Sequence, residues 1–476
     1  MVPFPKFDQI SIISDLHMGG PAGHQIFRLG GLLGKFVDYL GQAGTGKRAL
    51  VINGDMVDFL AEENAMYFDP EGAIEKLNRM RADAAFAPAW DALVRYTNTG
   101  ARHLAITLGN HDLELALPWV RERLLDILSG GDSAARARIT LAFDGTGFAC
   151  EVGGDRVLCV HGNEVDTWNV TDYEALRRLT VDRMQKGSAP VWTPNAGSKL
   201  VIDVMNKIKG CHAFVDILKP EKEAALRILY ALKPDLKSKL TSIAAIATRR
   251  VWDEGRRAVR LLSDAPGGEQ PAEEEYFRMA GRAAQNSADV ETLMDRAEEL
   301  FKAGKNPLDM VHERESERLG WWGELVSTAF RGEPHEIAWS GVKEMANDTT
   351  FQVRRVDDDF EKIDAMAARD FKYVVAGHTH LARALGRRNG GGLYYNTGTW
   401  ATLMRLGRED LRSAESFEPV FRRLQEAQTI PDLGNLAFAR PTVATIRAGN
   451  GQTESDLRKV IETDGRIGFV DVGDEQ

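Results

Sequence analysis

Five short apolar runs, each ending on a cluster of Gly, Asp, Asn or His, constrain this chain more than any other feature. Ile10 to Ser14 runs into Asp15-Leu16-His17, Ala49 to Asn53 into Gly54-Asp55, and Leu104 to Leu108 into Gly109-Asn110-His111-Asp112. Cys150 to Val160 reads as a hairpin turning at Gly153-Gly154-Asp155 and leading into His161-Gly162. Tyr373 to Ala376 leads into Gly377-His378-Thr379-His380. Helical patterns around Phe27 to Tyr39 and Ala73 to Val94 separate the first three runs. Strand-and-helix alternation of this kind marks an α/β protein, and open α/β sheets hold ligands at the carboxyl ends of their strands. All five clusters fall at that end.

Between the fourth and fifth runs the pattern changes. From about Thr171 to Asp370 there is almost no strand signal. Thr171 with Glu174 reads as a capping box opening a helix to about Met184, and Pro220 opens another through Leu226, Leu229 and Leu232. Asp235 to Leu262 reads as a long amphipathic helix, Asp264 to Pro271 as a loop, and Asp289 to Ala303 as helix again. Strand signals return at Tyr373 to Ala376 and Leu393 to Asn396, with weak ones at Thr442 to Arg447 and Ile467 to Val472. The expected organisation is a core in two parts, 1–166 and 371–425, a helical insertion at 167–370, and a C-terminal extension at 426–476.

Composition narrows the setting. The chain has 476 residues and a net charge of −10, which argues against a protein coated in nucleic acid. Three cysteines, Cys150, Cys159 and Cys211, are too few for a disulfide scaffold and fit a reducing compartment. The start lacks a charged leader with a long apolar core, and no stretch approaches the ~18 apolar residues of a membrane span. The expectation is a cytoplasmic protein, with peripheral attachment to a membrane as a second setting.

Asp, His and Asn are the ligand types that suit transition metals with mixed oxygen and nitrogen coordination. In a strand, residues i and i+2 share a face, so Asp15 with His17, and His378 with His380, are each expected to aim two ligands at one point if the extended backbone continues that far. A lone His at a strand end, or a lone Gly-Asp pair, is ordinarily core or turn chemistry. The weight lies in five clusters in a row. His24 and His103 have no such neighbours and receive no role.

The order of these blocks resembles the calcineurin-like metallophosphoesterase family, whose pattern is DxH, GD, GNH(D/E), a later H often followed by G, then GHxH. The resemblance covers roughly residues 8–166 and 371–400. It implies a four-layer α-β-β-α sandwich, here carrying a large helical insertion. It also implies two divalent metal ions, manganese first, with iron or zinc equally suited to the ligands. By resemblance Asp15, His17, Asp55 and His380 hold one ion. Asp55, Asn110, His161 and His378 hold the other, with Asp55 bridging. The implied reaction is hydrolysis of a phosphoester or pyrophosphate bond by a hydroxide shared between the ions. His111 then assists the leaving group, and Asp112 is expected to orient its imidazole, with a helix N-cap as the alternative for Asp112.

Departures from the pattern bear on substrate. Gly54-Asp55-Met56-Val57-Asp58-Phe59 keeps the second acid of the protein-phosphatase block GDxxDRG but lacks its Arg, and Asp58 reads as a supporting or capping carboxylate. The blocks are similar to the bacterial branch that includes UDP-2,3-diacylglucosamine hydrolases, which carry Arg at the place of His111 and a shorter insertion. The expected partner is a small phosphorylated substrate. The basic residues Lys237, Lys239, Arg249, Arg250, Arg256, Arg257 and Arg260 suggest a membrane-surface contact through the insertion or, more simply, a solvated helix face. Trp321-Trp322 reads first as core packing, and Asn396 to Trp400 as structural. A nuclease is a second enzymatic reading. A scaffold protein keeping metals for structure is the reading from another class.

Overall fold

The computed structural model describes residues 4–187, 191–209, 212–218, 228, 334–343, 346 and 349–473. Thirteen strands among them are β1 (Lys6–Phe7), β2 (Gln9–Ile13), β3 (Arg48–Asn53), β4 (Arg102–Thr107), β5 (Ile139–Ala142), β6 (Phe148–Val152), β7 (Asp155–Cys159), β8 (Phe371–Ala376), β9 (Ala382–Gly386), β10 (Leu393–Met404), β11 (Ala437–Ala448), β12 (Thr453–Thr463) and β13 (Arg466–Asp471). One sheet runs β5-β4-β3-β2-β11-β12-β13, with β2 to β5 parallel and β11 to β13 antiparallel additions. The other runs β1-β6-β7-β8-β10, with β9 on the far side of β10. β10 joins the two. Its first half pairs with β8, its second half with β11, and the register shifts between Gly398 and Thr402.

Alternation along the strands explains why the sheets stack. Ile10 and Ile12 of β2, Val51 of β3, Cys150 of β6, Val157 of β7 and Val375 of β8 point inward into one shared core. The intervening residues Ile13, Leu50, Ile52, Leu104 and Ile106 point outward instead. They are covered by α1 (Gly30–Gln42), α2 (Ala73–Ala82), α3 (Ala87–Asn98) and α4 (Pro118–Ser129). On the other sheet Val374 and Ala376 point outward under the helix Asp358–Met366, through Phe360 and Ile363. The result is a four-layer α-β-β-α sandwich, as expected from the sequence.

Trp400 is the largest residue at the seam. It is fully buried, lies 5.4 Å from the Phe36 ring, and donates its indole N–H to the Thr442 carbonyl. Trp400→Ala is expected to cost ~3–5 kcal/mol in urea unfolding. A loss under ~1 kcal/mol would mean that the seam repacks around the hole.

Local differences from the sequence reading have physical causes. The helical pattern of Ala73 to Val94 is two helices, the second with Pro88 in its first turn. The helix expected after a Thr171–Glu174 box begins one residue later: Asp172 caps it through Ala175 N, and it runs Tyr173–Lys186. The segment 426–476, expected as an extension, supplies β11 beside β2, with β12 and β13 beyond it.

Between the helices Tyr173–Lys186 and Asp358–Met366, the described part of the insertion packs as helical turns around Ala196–Leu200 and Asn206–Ile208. These join Pro334–Val342 and Ala414–Glu426 in a separate apolar cluster. Asn206 donates to the Leu60 carbonyl, and Tyr67 donates to Asp203, so this part lies on the loop that follows Gly54-Asp55. Cys211, the helix expected from Pro220 apart from Ile228, the basic helix Asp235 to Leu262, the loop Asp264 to Pro271, the helix Asp289 to Ala303 and Trp321-Trp322 lie outside the described residues. Among the described residues no helix is long and apolar enough to cross a membrane.

Glu114, in the 3-10 turn Leu113–Ala116 after the third cluster, is buried and accepts from Asp69 N at 2.9 Å. Burial pushes its carboxyl up to about 7 against that hydrogen bond and the nearby Lys76 charge. A carboxyl raised in the folded state contributes stability that is full below its unfolded value of 4.5 and is lost as pH rises toward 7. Glu114→Gln is therefore expected to match the parent at pH ~4.5 and exceed it at pH ~8 by on the order of 1–3 kcal/mol in urea unfolding. Equal stability at both pH values would show that Glu114 ionises freely.

Candidate metal centre

Each cluster leaves the carboxyl end of its strand, and the two sheets bring those ends together. Asn53, at the end of β3, donates its side-chain amide to the carbonyls of Val160 and Val375 in the other sheet. The backbone does not stay extended, however. Asp15, His17, Asp55, His378 and His380 all take left-handed φ values of 50° to 69°. These are five of the eight non-glycine residues with positive φ among the described residues. The paired ligands are thus aimed by left-handed turns, not by the i, i+2 alternation of a strand. Such conformations cost of order 1–2 kcal/mol each and concentrate at functional sites. They are held here by a backbone ladder between the first two loops: Asp15 N to Gly54 O, His17 N to Asp55 O, and Met18 N to Met56 O.

Two glycines make room for the carboxylates. A Cβ on Gly109 would lie 2.1 Å from Asp55 Oδ1, and one on Gly377 would lie 2.5 Å from Asp15 Oδ2. Glycine at these two cluster positions lets backbone approach the carboxylates closely.

The side chains converge in three overlapping groups of metal-ligating types: Asp15, His17 and His380; His17, Asp55 and His111; and Asp15, Asp55 and His161. The Nε2 atoms of His17 and His380 face each other at 2.9 Å, and His380 Nε2 is 3.4 Å from Asp15 Oδ1. Asp55 Oδ2 lies 3.1 Å from His161 Nε2 and 3.7 Å from His17 Nε2. Asp15, His17, Asp55 and His161 are all at most 2% exposed. His378 belongs to none of the three groups; its ring lies 5.4 Å from that of His161.

Outer contacts fix which nitrogen of each ring is free. His17 Nδ1 donates to Asp58 Oδ2 at 3.1 Å, and His161 Nδ1 donates to the Asn53 carbonyl at 2.9 Å. Both acceptors can only accept, so Nδ1 carries a proton in each ring, and Nε2, which faces the carboxylates, is the nitrogen that would take a metal in place of its own proton.

Electrostatics agree. Burial would raise the Asp55 carboxyl, but the charges of His161, His111 and His17 hold it well below its usual range. Burial opposes ionisation of Asp15 too, and the hydrogen bond from His380 and the charge of His161 bring it down. Burial would lower His161, yet Asp55 and Asp15 raise it to about 10. Two ionised carboxylates thus share one buried pocket.

The expected role of Asp112 does not hold. Its two oxygens accept from Gly109 N at 2.7 Å and Met56 N at 2.9 Å, tying the third loop to the second. Nor does its side chain cap the turn that follows. Burial and the Asp55 charge push its carboxyl up to about 8. The carboxylate on the His111 imidazole is that of Asp58, whose Oδ2 takes His111 Nδ1 at 3.1 Å while Oδ1 accepts from Ala61 N. Asp58 therefore links two imidazoles and closes its own turn. Asn396 to Trp400 supports the site from behind: Thr399 Oγ1 donates to the Asp15 carbonyl at 2.7 Å. Residues missed in the sequence are Asn53, which bridges the sheets and orients His161, and Asp166, which meets His378. Neither belongs to a repeated block, so spacing gave no signal. His103 is half-buried, its ring edge-on to that of Phe7 at 5.3 Å.

A divalent cation fits these residues. Asn110 Oδ1 is buried and has no hydrogen-bond partner, an orphaned acceptor at the mouth of β4. The donor set of carboxylate, imidazole and amide oxygen suits first-row divalent metals. The family model for calcineurin-like phosphoesterases matches residues 9–210, which supports that superfamily and, with it, a metal-dependent hydrolase of phosphoester bonds. The match takes in the first four clusters; the fold delivers the fifth, 377–380, to the same pocket. No curated protein matches the chain.

Proposed function

We propose that the chain hydrolyses a small phosphorylated substrate at a dinuclear centre, with manganese as the first candidate metal. The observation that carries this reading is the sharing of ligands. Asp15, His17 and Asp55 each belong to two of the three groups, which suits two neighbouring ions and exceeds what one ion needs. Asp15, His17, Asp55 and His380 would hold one ion, and Asp55, Asn110, His161 and His378 the other. Two divalent ions held there would polarise the phosphoryl oxygens and acidify a water between them.

The chain's own groups do the rest. Asp58 holds His111 by Nδ1; when the ring is an imidazolium, its Nε2 carries the proton that would go to a leaving oxygen. The His111 side chain is 21% exposed, whereas the carboxylates behind it are buried, so it stands on the side a substrate can reach. The insertion rests on the loop after Asp55, which supports a role for it in choosing the substrate.

The test is hydrolysis of bis-p-nitrophenyl phosphate and p-nitrophenyl phosphate after chelation and readdition of manganese. Release that depends on the metal is expected, and the diester-to-monoester ratio then directs a screen that includes UDP-acylated sugars and polynucleotides. No release from either ester with two ions bound would overturn the reading in favour of a structural metal site.

A further inference from the structure

His378 is held by the opposite nitrogen from His17 and His161. Its Nε2 lies 3.0 Å from Asp166 Oδ2, and the two side chains are 10% and 11% exposed. Both Asp166 oxygens accept N–H donors: Oδ1 from Trp168 N at 2.9 Å and Oδ2 from Asn169 Nδ2 at 2.7 Å. That is the bonding pattern of an ionised carboxylate, which can only accept. Nε2 of His378 therefore carries the ring proton, and in a neutral imidazole the lone pair is then on Nδ1.

Asp166 is itself firmly placed. It follows the 3-10 turn Asn163–Val165 that begins just after His161-Gly162. Its N–H donates to the Asn163 carbonyl, and its carbonyl accepts from Asn169 N and Val170 N. One loop thus carries His161 and, five residues on, grips the His378 ring. The backbone of His378 is fixed from the other side, since its N–H donates to both Asp15 oxygens at 3.0 Å.

We propose that Asp166 is a positioning residue of the metal centre, which holds His378 in the Nε2–H tautomer and so makes Nδ1 its ligating atom. The proposal rests on the dinuclear reading above. It makes His378 the one ring that binds through Nδ1, while His17 and His161 bind through Nε2. An outer carboxylate of this kind typically tunes metal affinity by ~10–100-fold.

The test is calorimetric titration of the chelated full-length chain with manganese, alongside long-range proton–nitrogen spectra of the histidine-labelled, metal-free parent. Asp166→Leu is expected to weaken one of two equivalents by ~10–100-fold and spare the other. Asp166→Asn, whose amide oxygen still accepts from Nε2–H, is expected to restore most of that loss. The His378 signal, assigned by its loss in His378→Asn, is expected to show the proton on Nε2. Parental affinity for both equivalents in Asp166→Leu overturns the assignment alone, and so does a proton on Nδ1. If Asp166→Leu fails to fold, Asp166→Asn and the spectra still decide. Fewer than two equivalents in the parent overturns the dinuclear reading itself.

Discussion

Asp55→Asn is expected to lose metal and turnover together. In the parent, Asp55 Oδ1 accepts from His111 N at 2.9 Å, and Oδ2 lies within 3.7 Å of both His17 Nε2 and His161 Nε2. The substitution removes one oxygen and the negative charge from a residue that belongs to two of the three ligand groups. A carboxamide cannot bridge two cations as a carboxylate can. Asn also tolerates the left-handed φ of 50° that Asp55 adopts, so the backbone has no reason to move. Metal content by plasma emission should fall below one ion per chain, and turnover by on the order of a thousandfold or more, with the metal-free melting temperature nearly unchanged. Full activity in this variant would remove Asp55 from the bridging position.

His111→Ala should separate chemistry from metal binding. Its backbone N–H, which holds Asp55, survives the substitution. What disappears is the imidazole tethered to Asp58 and edge-on to the His17 ring at 4.8 Å. If that imidazole serves the leaving group, kcat should fall by ~10²–10⁴ while two ions stay bound. The loss should be largest for substrates with poor leaving groups and small for nitrophenolate, which needs little protonation. The imidazole also lies in a ligand group with His17 and Asp55, so a parallel fall in metal content would identify His111 as a ligand instead.

The core of this molecule is legible in its sequence because the strand ends repeat one design. An apolar run of alternating inward and outward residues breaks at a Gly, Asp or His, and that break is both the strand's end and the site's ligand. What escaped reading was carried by residues without such a signature. β12 (TESDLRKVIET) is half-exposed and polar, and it is a strand because β11 and β13 flank it. The second half of β10 looks like a continuation of a short strand, yet it crosses to the other sheet at Gly398. The left-handed turns at Asp15 and His378 override the extended geometry that i, i+2 spacing suggests. Asp58 was visible as an acid beside the second cluster, but its hold on two imidazoles depends on loops 41 and 53 residues away in sequence. Asp112 looked like the partner of its neighbour His111, although adjacent residues in a tight loop point apart.

Anomalous diffraction from manganese-loaded crystals addresses the two-ion centre most directly. Two peaks ~3.5–4 Å apart are expected on either side of the Asp55 carboxylate, one beside Asp15, His17 and His380, the other beside Asn110, His161 and His378. A single peak, or peaks that do not share Asp55, would contradict the dinuclear phosphoesterase.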